Sequence, residues 1–233
     1  MIRKNAAIKL DSVERKVTIM KKTLLTTIMA LLVSGASYAD ELRVEAKASA
    51  KLGDLTLSVE EQVRHDLGVS EDMVTKAAPY EHTVFAATKS VGEKLDLSLR
   101  IRNTNTAGES VNRISLDAIT GTSAMGLDVK STTRLQLDCG TDITEVTTDQ
   151  ATLRERLDVS KSVALLGKEY TLSVGDELFA NETGLTENRA IASVGTKISA
   201  VDVRAEYFLQ TMDVMSDDRA NSHTVGVYAS LSF

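Results

Sequence analysis

The chain has 233 residues, with 33 Asp+Glu against 27 Lys+Arg, a net charge of −6, one cysteine (Cys139), one proline (Pro79) and no tryptophan. Its length suits one domain, its acidic balance offers no general attraction for nucleic-acid phosphates, and a lone cysteine excludes an internal disulfide framework. With no histidine near it in sequence, Cys139 reads as an inert strand-end residue, while scarce proline suits a chain of hydrogen-bonded strands.

The first element in chain order is an export sequence at residues 20–39. Lys21 and Lys22 form a positive n-region, Leu24 through Val33 an apolar run, and Ser34 through Ala39 a small-residue tail. Ser37 and Ala39 suit the −3 and −1 pockets of a signal peptidase, which places cleavage after Ala39, before Asp40. The apolar run is too short to span a bilayer as a helix. Residues 1–19, polar and mixed in charge, read either as an overlong start or as an extended n-region. Residues 40–233 then form the mature domain, with eleven more acidic than basic residues. It contains no run of about 18 apolar residues, the minimum for a membrane-spanning helix.

After Asp40 the pattern has period two, the signature of strands with one apolar face. Leu42, Val44, Ala46, Ala48, Ala50 and Leu52 alternate with Arg43, Glu45, Lys47, Ser49 and Lys51. Gly53-Asp54 turns the chain, and Leu55, Leu57 and Val59 continue against Thr56, Ser58 and Glu60, a tight hairpin. The same alternation carries Leu95 to Ile101, Leu127 to Leu137 and Val201 to Leu209. It predicts strands over 41–52, 55–65, 80–91, 95–103, 111–121, 127–138, 150–160, 168–180, 188–197, 200–213 and 222–233. The connections alternate between short (53–54, 92–94, 122–126, 161–167, 198–199) and long (66–79, 104–110, 139–149, 181–187, 214–221). That is the connectivity of an antiparallel up-and-down transmembrane β-barrel with short periplasmic turns, of about 10–12 strands.

A soluble sandwich would also alternate, so the polar face decides. Here it is dense in both signs, at Arg43, Glu45, Glu60, Arg64, Arg100, Arg113, Asp117, Asp128, Arg134, Arg154, Arg156, Glu177, Arg204 and Glu206. Such a face suits a lumen, where opposite charges can pair out of lipid. The last strand puts His223, Val225, Val227, Ala229, Leu231 and Phe233 on one face, and a terminal Phe in this setting is an assembly signal of outer-membrane barrels. Expected partners are therefore outer-membrane lipid and the barrel assembly machinery of a Gram-negative cell. Candidates for the interface girdles are Tyr80, Phe85, Tyr170, Phe179, Tyr207, Phe208, Tyr228 and Phe233. Eleven strands is an odd count where bacterial barrels have an even one. Ten or twelve is expected, through one miscounted strand or a first segment lying in the lumen.

Three stretches resemble a family of bacterial outer-membrane proteins catalogued as domain of unknown function 2490. They are LTLSVEEQVR at 55–64, LRERL at 153–157, and VGDELFANETGLTENR at 174–189, continued by AEYFLQ at 205–210. The resemblance implies an outer-membrane barrel without a stated reaction, and it points to Glu60, Arg64, Arg154, Arg156, Glu177 and Arg189 as a lumen network. Arg100, Arg134 and Arg204 join that network by their place on the polar face.

No motif for a nucleophile elbow, a zinc protease, a phosphate loop or a Cys/His zinc site occurs. The expectation is no enzyme, no cofactor and no metal. Two alternatives stand beside it. One is a hydrolase with a rim site, because His65, His82 and His223 all fall at strand ends beside long loops, with Asp66 and Asp217-Asp218 at hand. The other is a soluble periplasmic ligand-binding barrel, which needs an apolar lumen. The leading expectation is a structural or narrow channel-type barrel of low or no conductance, its interior too small for a porin-size pore unless the charged side chains fold aside.

Overall fold

The structure is a computed structural model, and it describes residues 41–66, 80–106, 109–139, 151–165, 167–214 and 220–233. The export sequence, its cleavage point and residues 1–19 lie outside the described residues.

Among the described residues eleven strands follow one another: β1 (Glu41–Leu52), β2 (Leu55–Asp66), β3 (Tyr80–Ser90), β4 (Leu95–Thr106), β5 (Glu109–Ala124), β6 (Leu127–Asp138), β7 (Ala151–Leu165), β8 (Lys168–Asn181), β9 (Gly184–Ile198), β10 (Val201–Met212) and β11 (Ala220–Ser232). Each coincides with a strand expected from the alternation. They close into a barrel in which every chain neighbour pairs antiparallel and β1 pairs with β11 in parallel. Ten or twelve strands is therefore not what forms. In a meander of odd count the first and last strands run the same way, so closure demands one parallel seam. The seam runs from Glu41 opposite Thr224 to Ser49 opposite Ser232, and the Phe233 N–H donates to the Ser49 carbonyl at 2.9 Å. Closure removes the exposed edges an open sheet would present and pairs the wall's backbone polar groups internally, as a wall facing hydrocarbon must.

The connections differ from the strict short–long alternation. One end carries only short ones, at 53–54, 91–94, 125–126, 166–167 and 199–200. At the other end the gaps 67–79, 139–150 and 213–219 are long, but 107–108 and 182–183 are two residues each. The expected loop at 181–187 is instead a tight hairpin, because Asn181 Oδ1 accepts from the Thr183 N–H at 2.9 Å and from its hydroxyl at 2.6 Å, a side-chain-closed turn. The expected turn at 122–126 shrinks to Met125-Gly126, both at positive φ (56° and 74°), the geometry of a two-residue hairpin whose twist matches its strands.

Side-chain parity divides the wall. On the outer face Leu99, Leu116, Leu135 and Leu153 stand directly opposite one another across four strands. They are 45–54% exposed. Phe85, Ile101, Leu57, Leu172 and Val174 extend the same exposed apolar surface. The opposite face of every strand points into the lumen.

Candidate functional site

The lumen holds an open volume of about 330 Å³, lined by twelve Arg and Lys side chains but six carboxylates. Period two is what puts them there: a strand that shows leucine outward at every second residue must turn the residues between them inward.

On the wall from β7 to β10 the charges are closely matched. Glu177, 1% exposed, is held by Arg154 of the neighbouring strand and by Arg189 at 3.4 Å. Glu206 takes Arg204 at 3.0 Å and Arg156 at 3.7 Å. The last contact reaches across two intervening strands. Arg156 also forks onto Asp158 with two bonds of 2.8 Å, and Gly175 opposite is what makes room, since a Cβ there would sit 2.6 Å from Asp158 Oδ1. Between β5 and β6, Asp117, 1% exposed, accepts a bidentate pair from Arg134, both bonds 2.7 Å. Bidentate, desolvated pairs of this kind are the strong ones.

On the wall from β1 to β5 the balance shifts. Glu60 lies 3.3 Å from Arg100 and 4.0 Å from His82. Glu45 accepts from the Gln62 amide at 2.9 Å, and Arg64 Nε donates to the Gln62 carbonyl oxygen at 2.7 Å. Arg43 pairs with Glu41, and Arg113 with Asp138. Among the described residues, no carboxylate lies within the 4.0 Å ion-pair range of Arg64 or Arg102.

Four of the expected girdle aromatics turn out to face inward. Arg154 and Arg189 sit 5.0 and 4.5 Å from the Phe179 ring centre, Arg43 4.5 Å from Phe208, Arg204 4.7 Å from Tyr228, and Arg64 4.4 Å from Tyr80. A ring face attracts a guanidinium, and more strongly where water is excluded. These aromatics share strand parity with arginines, which is why they stand on the inner face rather than the outer one. Phe85, 61% exposed, and Tyr207, 43% exposed, do lie outside.

Glu60, Arg64, Arg100, Arg134, Arg154, Arg156, Glu177, Arg189 and Arg204 all line the lumen, and all of them but Arg64 take part in ion pairs. Asp128, expected on the same face, lines a separate cavity at the short-turn end and accepts from the Ser123 hydroxyl. Arg102, Lys130 and Asp158 belong to the lumen too; the alternation of β4, β6 and β7 carried that signal, which only needed to be followed to the strand ends. The histidines separate. His82 is buried in the lumen, 5% exposed at its side chain, whereas His65 stands on the outer parity of β2, and His223, bonded to the Tyr207 hydroxyl, on that of β11. Asp217 and Asp218 lie outside the described residues.

The class this defines is a closed β-barrel with an apolar outer wall and a basic, ion-paired lumen. No protein-family model matches the chain, and the search of curated proteins finds no match. A solved structure described as "Bacterial polysaccharide outer membrane secretin" is similar at 10% identity, with a TM-score of 0.44 over 74% of this chain and 73% of that one.

Proposed function

We propose that the chain is an outer-membrane β-barrel with a narrow, charged, channel-type lumen and no catalytic activity. The observation that carries it is the inversion of exposure. Leucines in the middle of the wall are half exposed, while Asp117 and Glu177 inside are 1% exposed. Water around the wall would make that arrangement costly, at about 25 cal/mol per Å² of apolar surface left wet; hydrocarbon makes it favourable. A soluble ligand-binding barrel would have an apolar interior, and a rim hydrolase would turn His65 and His223 toward one mouth rather than onto the outer wall. Membership of the resembled family of outer-membrane proteins is part of this reading, as are export through the leader at 20–39 and recognition of Phe233 during assembly. Phe233 is 58% exposed at the short-turn end, which leaves its ring available to a partner.

The membrane part is tested by fractionation with a heat-dependent gel shift. Leu116→Arg, at mid-wall, should cost about 2–4 kcal/mol if that surface faces lipid; a neutral effect would place the wall in water. In planar bilayers, openings should be small, far below those of an open porin. Large steady openings would remove the narrow-lumen reading, and complete silence would leave a structural barrel.

A further inference from the structure

The geometry points to an oxyanion-binding site inside the lumen toward the end that carries the long connections, formed by Arg64 and Arg102 with Arg113 and His82, and taking the phosphate or carboxylate group of a small anion. The inference deepens the channel reading and rests on the lumen being reachable from solvent.

Three observations converge on it. First, like charges face each other directly across neighbouring strands, Arg43 opposite Arg64 and Arg102 opposite Arg113. Such pairs destabilise a sheet unless something lies between them. The available carboxylates serve only one member of each, Glu41 for Arg43 and Asp138 for Arg113. Second, two nitrogens inside the cluster are buried and without a hydrogen-bond partner among the described residues, the donor Arg102 Nε and the ring nitrogen His82 Nδ1. A buried polar group left unsatisfied costs about 1–3 kcal/mol, so it calls for an occupant. Third, Tyr80 lies in electrostatic reach of Arg102, Arg64 and Arg113 together and packs edge-on against His82 at 5.6 Å. Strands β2 and β4 thus present Arg64 and Arg102, neither with a carboxylate in ion-pair range among the described residues, to one volume, flanked by His82 of β3 and Arg113 of β5. Guanidinium forks suit a planar carboxylate or a phosphate, each N–H meeting one oxygen.

The contrast with the lumen's other arginines is what separates this from ordinary packing. Arg134, Arg154, Arg156, Arg189 and Arg204 each have a carboxylate. An arginine placed only to brace the wall would have one too.

The test uses the full chain folded in detergent and reads the midpoint temperature of its heat-dependent gel shift. Sodium phosphate and sodium succinate are compared with sodium chloride at equal ionic strength. A ligand that binds only the folded barrel raises its midpoint by mass action, so a rise of several degrees is expected with at least one oxyanion. A rise with phosphate alone, succinate alone or both supports the site and identifies the group it prefers. Arg102→Gln should abolish that rise without lowering the midpoint in chloride, and Arg102→Lys should keep a weaker one. Arg204→Gln, on the far wall, should lower the midpoint yet retain the rise. No rise in any oxyanion, an equal rise in Arg102→Gln, or an Arg102→Gln chain that fails to form the heat-modifiable barrel overturns the proposal. A bilayer silent to current with the rise intact leaves the site standing and removes the channel.

Discussion

On the β7–β10 wall four arginines close around Glu177 and Glu206, with two of them stacked on Phe179. On the β2–β5 wall Arg64 and Arg102 face cations across their strand pairs and have no carboxylate in range among the described residues. Both walls are built from the same residue types, at the same parity, in the same kind of strand. What differs is whether register brings an acid to the same height. Buried ion pairs do not repay their desolvation generously, so the matched wall serves to hold geometry. The unmatched wall keeps its cations available to something that arrives from outside.

That contrast can be broken most sharply at Glu177. Glu177→Gln preserves shape but leaves Arg154 and Arg189 buried without a counter-charge, and the expected loss is about 3–5 kcal/mol. It would be read as collapse of the heat-modifiable form; survival of the barrel would show that this wall needs no matching. Asp117→Asn removes a single bidentate partner from Arg134, and a smaller loss of about 1.5–3 kcal/mol should appear in urea unfolding. Phe179→Leu keeps the volume apolar but deletes the ring under two guanidinium groups, for about 1–2 kcal/mol by the same measurement. The smallest effect has the opposite sign. Arg102→Gln relieves its repulsion with Arg113 and should raise stability by up to about 1 kcal/mol in chloride. A loss there would mean that both walls depend on their arginines in the same way.

Much of the fold was legible because strand parity is a local property. Leu42 through Leu52 read as one outward row in the sequence, and they are one; Glu60, Arg134 and Glu177 read as inward, and they line the lumen. The tight hairpin at Glu182-Thr183 is not legible in the alternation, because the Asn181 side chain does the turning in a stretch whose polar residues read as a loop. Residue type alone suggests a girdle for Phe179, Phe208, Tyr228 and Tyr80, whereas their parity with the lumen arginines assigns them to the inner face. Gly226 shows the same logic at finer scale: a Cβ there would sit 2.6 Å from the Tyr228 ring, which folds over it toward Arg204.

The sequence by itself determined the strands, the face each residue would show and the wealth of charge on the inner one, because alternation along an extended chain needs no partner to be defined. Only the tertiary structure decided that eleven strands close through a parallel β1–β11 seam. It also decided that Arg156 reaches Glu206 across two intervening strands, and that Arg102 meets Arg113 and, among the described residues, no carboxylate within 4.0 Å. Which side chains share a height depends on the stagger accumulated around the whole ring, and no local stretch of sequence carries that sum.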